Sequence, residues 1–274
     1  MKRALILGLG LISLTTLPAV AADLPVKARP APPPIVTVYN WSGCYIGGNA
    51  GGKWASTTGD ATIGATASTA LTTVSFDRST ASTFVGGGQV GCNWQAAGSN
   101  WVFGIEGDAD WQRWSVSRTL GPSVSPFVAG DIFDIRSDWQ ASARGRIGYA
   151  FDRTLFYLTG GAAFTNVKVG SNFIPIGIFP ATVASDSKTL LGATVGGGFE
   201  YAFTNNWSFG VEGRYTWYGT QTFNAGTVAT FAVPGAAVTF LTAPATQTIR
   251  LDTFEATARL NYKFDWGGPV VARY

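Results

Sequence analysis

The chain has 274 residues, enough for one large β domain or two small ones. Only 13% of them are charged, 46% are hydrophobic and none is histidine, which is little charge for a soluble enzyme and excludes chemistry built on a histidine base. Basic residues outnumber acidic ones by 19 to 16, but Lys2 and Arg3 supply most of the excess and the rest of the chain has no dense basic cluster, which excludes nucleic acid as a partner.

Residues 1–22 read as a signal peptide: a basic start at Lys2 and Arg3, an apolar stretch from Ala4 to about Leu17, and a small-residue end around Ala19, Ala21 and Ala22. The apolar run is shorter than the ~20 residues of a membrane-spanning helix, so an exported protein is expected. Residues 23–40 are a Pro-rich periplasmic linker, with Pro25, Pro30 and Pro32 to Pro34 enforcing an extended backbone.

From Trp41 the pattern has a period of two. In "WVFGIEGDADW", Trp101, Phe103, Ile105, Gly107, Ala109 and Trp111 share one parity, and Glu106, Asp108 and Asp110 the other. On a strand this makes one apolar face and one acidic face. Similar segments lie near 41–52, 83–95, 100–112, 138–151, 154–166, 189–203, 206–218 and 252–264. Each has about the 9–11 residues with which a tilted strand crosses a bilayer. The short connections 96–100, 152–154 and 204–206 alternate with the long stretches 53–82, 113–137, 167–188 and 219–251. Short periplasmic turns alternating with four long extracellular loops predict an all-β, eight-stranded antiparallel up-and-down transmembrane barrel over 41–264, with a C-terminal tail at 265–274.

Gly86, Gly88 and Gly91 in "TFVGGGQVGCNW" fit the letters of a dinucleotide fingerprint, and "ATVGGGFEYAF" repeats the motif at 193–203. A fingerprint must open a helix, and the residues after Gly91 have none of the helical period. Glycines within a strand serve close packing instead.

On the lumen parity stand Glu106, Asp108, Asp110, Glu200, Glu212 and Glu255, with Arg144, Arg146, Arg214, Arg259 and Lys263, besides Asn49, Gln89 and Asn93. Eight strands leave room for little more than side chains. The charges are therefore expected to pair as a plug, Asp108 and Asp110 against Arg144 and Arg146 on the next strand. A solvated, charged pore lining is the alternative. No catalytic, cofactor or metal constellation is recognised. Cys44 and Cys92 fall near the periplasmic end on the same outward parity. A cross-strand disulfide and two lipid-facing thiols both fit, and register decides between them. Trp41, Trp94, Trp101 and Trp207 fall at turn-side strand ends, and Trp111, Trp139 and Trp217 at loop-side ends, as two aromatic girdles would.

Several stretches carry a resemblance. "YNWSGCYIGGNAGG" after a Pro-rich linker, "ARGRIGYAFDRTLFYLTGGAAF", "VGGGFEYAFTNNWSFGVEGRYTWYG" and "ARLNYKF" resemble the alphaproteobacterial outer-membrane β-barrel family of immunogenic, opacity-like, porin-type surface proteins. These are related in shape to the OmpA transmembrane barrel. The resemblance covers nearly all of the chain after residue 22. It implies an eight-stranded barrel in the outer membrane of a Gram-negative bacterium and a structural surface role, with porin activity claimed for some members. Such barrels often end on an aromatic that the barrel-assembly machinery reads; Phe264 and Tyr274 both qualify here. Positions 44 and 92 usually hold aromatics in this family, so the cysteines are a departure.

The function expected is a non-enzymatic surface barrel that stabilises the envelope. A small porin and a loop-mediated adhesin are the alternatives. Its partners would be outer-membrane lipid and lipopolysaccharide, the assembly machinery, and a host or surface ligand at the loops. No wall-binding domain is recognised after the barrel.

Overall fold

Alternating Thr, Ser and Val with small or apolar residues favours extended backbone, and here it does so over longer stretches than the bilayer requires. The computed structural model describes residues 39–65, 70–121, 130–174, 182–232 and 239–264. The expected signal peptide, most of the linker, the tail and Tyr274 lie outside them. Eight strands run in chain order: β1 (Gly43–Ile63), β2 (Thr72–Gln95), β3 (Trp101–Thr119), β4 (Ile132–Phe151), β5 (Thr154–Phe173), β6 (Thr182–Ala202), β7 (Trp207–Ala232) and β8 (Thr239–Lys263). Each pairs antiparallel with its sequence neighbours, and β1 also pairs with β8, closing the barrel. Closure satisfies every strand edge within the bilayer, where no water can do so. At the turn side the chain reverses tightly, with Gly98 (φ 74°) between β2 and β3 and Asp152 (φ 50°) between β4 and β5.

The four stretches expected as long loops are mostly strand. The strands run on through them, so that consecutive strands are separated there only by residues 64–71, 120–131, 174–181 and 233–238. The period of two persists there in a quieter form. Ala61 and Ile63 alternate with Thr62, a weak contrast between faces although the geometry is unchanged.

Two ladders stop early. The β2–β3 register ends at Val85↔Gln112 and the β6–β7 register at Ala193↔Trp217. Beyond these points the wall continues as two four-stranded halves, β7-β8-β1-β2 and β3-β4-β5-β6. Side chains take over at the seams. The Thr83 hydroxyl donates to the Arg113 carbonyl at 2.7 Å, and the Asn224 N–H donates to Asp186 Oδ2 at 2.9 Å. Apolar side chains fill the space between the halves: Phe133 meets Phe76 at 5.4 Å and Phe173 at 5.8 Å between ring centroids, with Ile63 and Leu120 in the same cluster.

Candidate functional site: the charged lumen

Strand alternation places the site. On β3, Glu106, Asp108 and Asp110 point inward and are buried, while Trp101, Phe103, Ile105 and Trp111 point outward and are exposed. β4 adds Gln140, Ser142, Arg144 and Arg146 to the interior, β6 Glu200, β7 Glu212 and Arg214, and β8 Glu255 and Arg259.

These side chains form one connected network. Arg144 Nη2 reaches Glu106 at 2.6 Å and Asp108 at 2.9 Å, and its Nη1 pairs with Glu212. Arg259 pairs with the same two glutamates, closing a four-membered ring Glu106–Arg144–Glu212–Arg259. Arg214 binds Asp108 at 2.8 Å and Asp110 at 3.1 Å, and is shared with Glu255. Arg146 pairs with Glu200 and lies 3.7 Å from the centre of the Tyr157 ring. Neutral groups take up further valences: Ser142 donates to Asp108 at 2.6 Å, Asn49 to Asp110 at 2.9 Å, Tyr157 to Glu212 at 3.0 Å and Asn261 to Glu200 at 2.9 Å. Gln89 accepts from Asn49 at 2.9 Å and donates to Asn261 at 2.7 Å, and Asn93 is buried four residues further along β2. Charges so buried must be paired and hydrogen-bonded to be tolerated at all.

The pairing differs in detail from adjacent-strand matching. In the β3–β4 register Glu106 faces Arg144, Asp108 faces Ser142 and Asp110 faces Gln140. Arg146 therefore reaches across the lumen to β6, and Asp110 is held by Arg214 from β7. Sequence reasoning missed Lys53, which is fully buried, pairs with Glu255 at 2.9 Å and donates to Gln140. Its signal was present: it continues the β1 parity of Tyr45, Gly47, Asn49 and Gly51, but it fell in a stretch assigned to loop. Tyr45, which donates to Glu106, was missed too. Lys263 stands apart at the end of β8. It lies at the turn-side rim, where its ammonium donates to the Asn40 carbonyl and sits 4.3 Å from the centre of the Tyr39 ring. At the last position of β8, its side chain has an aromatic rim to lie on.

Apolar clusters flank the charges on both sides. At the turn side, Tyr39, Trp41, Val102, Ala150, Leu155, Tyr157 and Ala202 form one cluster. Toward the long hairpins, Trp114, Val116, Ile135, Val167, Leu190 and Tyr218 belong to another. Trp41 is thus no girdle residue. It is 2% exposed, its indole N–H donates to the Asp152 carbonyl at 3.1 Å, and its backbone N–H donates to Gln95 Oε1 at 2.9 Å. It precedes β1, where the chain crosses the mouth and strand alternation does not yet apply. Trp94, Trp101 and Trp207 face outward at the turn side, and Trp111, Trp139 and Trp217 at the other. Trp54, packed on Phe254 at 5.7 Å, joins the upper row and was missed with Lys53.

The glycine runs serve the wall. At Gly87 a Cβ would stand 2.2 Å from the Ala109 carbonyl and 2.4 Å from Asp110 Oδ1. At Gly198 it would stand 2.2 Å from the Val211 carbonyl. Only glycine lets neighbouring strands approach and leaves room for lumen side chains. Cys44 and Cys92 are register partners and form a disulfide on the β1–β2 hairpin. Phe264, directly after β8, is exposed, its N–H donating to the Cys44 carbonyl at 2.9 Å. Among the described residues, no group of three or more Cys, Asp or Glu is placed to hold a metal ion.

The family model and the sequence relatives agree with this architecture. Residues 9–264 match the outer membrane protein beta-barrel domain. The chain is 35% identical to the 31 kDa outer-membrane immunogenic protein of Brucella melitensis over 206 residues, covering 72% of this chain and 80% of that one. It is 34% identical to the 22 kDa outer membrane protein of Rhizobium leguminosarum bv. viciae over 140 residues, 50% of this chain and 55% of that one. Among solved structures, the outer membrane protein OprG from Pseudomonas aeruginosa aligns at 11% identity and a TM-score of 0.49, over 82% of this chain and 98% of that one. An eight-stranded closed wall with an apolar outer face, two aromatic rows and relatives of this kind lead to one conclusion: the chain belongs to the outer membrane protein beta-barrel family and is a surface protein of the outer membrane of a Gram-negative bacterium.

Proposed function

We propose that the protein is a structural, non-catalytic barrel that reinforces the envelope and does not pass solutes. The observation that supports this reading is the closed Glu106–Arg144–Glu212–Arg259 ring lying between two apolar layers. A conducting lumen needs a continuous file of water, and here each inward charge is turned to a partner while the layers on either side are hydrophobic. The work left for the molecule is mechanical. Its wall anchors in lipid, and its hairpins project from the surface. Phe264 is the aromatic that the assembly machinery would read, being exposed at the end of the last strand. Liposome swelling tests the reading: vesicles loaded with folded protein should swell in small sugars no faster than empty vesicles. Swelling that scales inversely with sugar size would contradict it.

A further inference from the structure

Above the loop-side aromatic row the two halves of the wall carry different chemistry. On β7-β8-β1-β2 the outward side chains form rows of register partners such as Asn224–Thr246–Thr62–Thr73, rich in hydroxyls. On β3-β4-β5-β6 the equivalent row is Ser115–Arg136–Lys168–Ser187. Arg136 and Lys168 thus stand directly opposite each other on adjacent strands, an arrangement of like charges that weakens a sheet. On the same face of β4, Asp134 is engaged by the Ser117 hydroxyl, and Asp138 answers the cations directly. Asp138 accepts from Lys168 at 2.6 Å, with the two side chains 39% and 42% exposed, and the charges of Arg136 and Arg113 act on the same carboxylate. Three cations gather round one anion. Among the described residues, neither Arg113 nor Arg136 forms an ion pair of its own.

Height decides what could neutralise them. Arg113 follows Trp111 on β3, Arg136 precedes Trp139 on β4 and Lys168 follows Phe164 on β5, each by two to four positions. A rise of ~3.3 Å per residue along strands tilted by roughly 40° puts the charges on the order of 5–10 Å above the aromatic row. That row marks the edge of the hydrocarbon, so the cations stand at the depth of lipid headgroups. The outer leaflet of this membrane presents a phosphorylated glycolipid.

We propose that Arg113, Arg136 and Lys168 form a binding face for the phosphate groups of lipopolysaccharide, confined to the β3–β5 side of the barrel. An anion between Arg136 and Lys168 turns their repulsion into a bridge, and the planar guanidinium of Arg136 suits two phosphate oxygens. The opposite half, where the exposed Arg250 is paired with Asp252 at 3.5 Å and stands between Thr58 and Thr220, serves as an internal control.

The test is a titration of the folded protein in nanodiscs with deep-rough lipopolysaccharide, and with the same lipid after phosphatase treatment. At low salt the triple variant R113Q/R136Q/K168Q should bind the phosphorylated lipid roughly 10- to 100-fold more weakly, given three cations near a charged surface. It should bind the dephosphorylated lipid as the wild type does. A second readout separates binding from misfolding. Without lipopolysaccharide, R136Q should unfold at the same temperature as wild type or higher, because a like-charge contact is gone. With it, R136Q should unfold lower. Unchanged affinity in the triple variant, equal affinity for the dephosphorylated lipid, or an equal loss in T222A/T248A would overturn the proposal. A conducting lumen would leave every one of these results untouched.

Discussion

Arg144 is the residue on which most of the lumen depends. It holds Glu106, Asp108 and Glu212 at once. Arg144→Ala would leave buried carboxylates short of a partner, and breaking such a pair costs about 3–5 kcal/mol. Urea unfolding in detergent, monitored by tryptophan fluorescence, should show a loss of that size. Lys53→Met should cost less, since it takes a cation from one carboxylate where Arg144→Ala takes one from three. The glycines give a sharper contrast. Gly87→Ala drives a Cβ into a backbone carbonyl at 2.2 Å, whereas at outward-facing Gly88 the nearest atom is 3.5 Å away. The first should abolish the heat-shiftable gel band of the folded barrel and the second should leave it. At this scale the parity of the charges was legible in the sequence, because Glu106, Asp108 and Asp110 alternate with large apolar neighbours. Their partners were not. Arg146–Glu200 and Arg214–Asp110 span the lumen, and that depends on register and diameter, which no local pattern carries.

The strands outrun the bilayer, and the two seams arise where their ladders stop. Residues 72–84 of β2 and 182–192 of β6 keep one bonded neighbour and lose the other. Amide hydrogen exchange should therefore be faster there than in 85–95 and 193–202. Uniform protection along β2 would contradict the seam. The β1–β2 hairpin is tied at its base by Cys44–Cys92, across a sequence separation of 48. Disulfides closing loops of this order stabilise by about 2–4 kcal/mol. The double Ser variant should still give a heat-shiftable band, because the full β1–β2 and β1–β8 ladders remain, but it should unfold at lower denaturant. Element number and order could be read from the alternation and the three short turns. Element length could not. Between residues 53 and 63 the inward Ala55, Ala61 and Ile63 alternate with Ser and Thr, too little contrast to distinguish strand from loop before its partners are known.

Across the whole barrel, three layers fill the interior in sequence: an aromatic plug at the turn side, the ion-pair layer, and the apolar packing between the two projecting halves. The outer face repeats the logic in reverse, with aromatic rows bounding an apolar belt and charge kept above it. Such a wall resists the membrane and offers its hairpins to the outside, and nothing in its interior has to open for it to do so. In the sealed-barrel reading the flanking apolar clusters make the barrier, since water can rearrange ion pairs on their own. Single-channel recording of the folded protein in a planar bilayer, with the heat-shiftable band as proof of folding, tests this most directly. Wild type and Asp108→Ala should both stay silent, because neither alters the apolar layers. Steady openings in the wild type, with ion selectivity shifted by Asp108→Ala, would mean that the charges line a wet pore and that the sealed-barrel account is wrong.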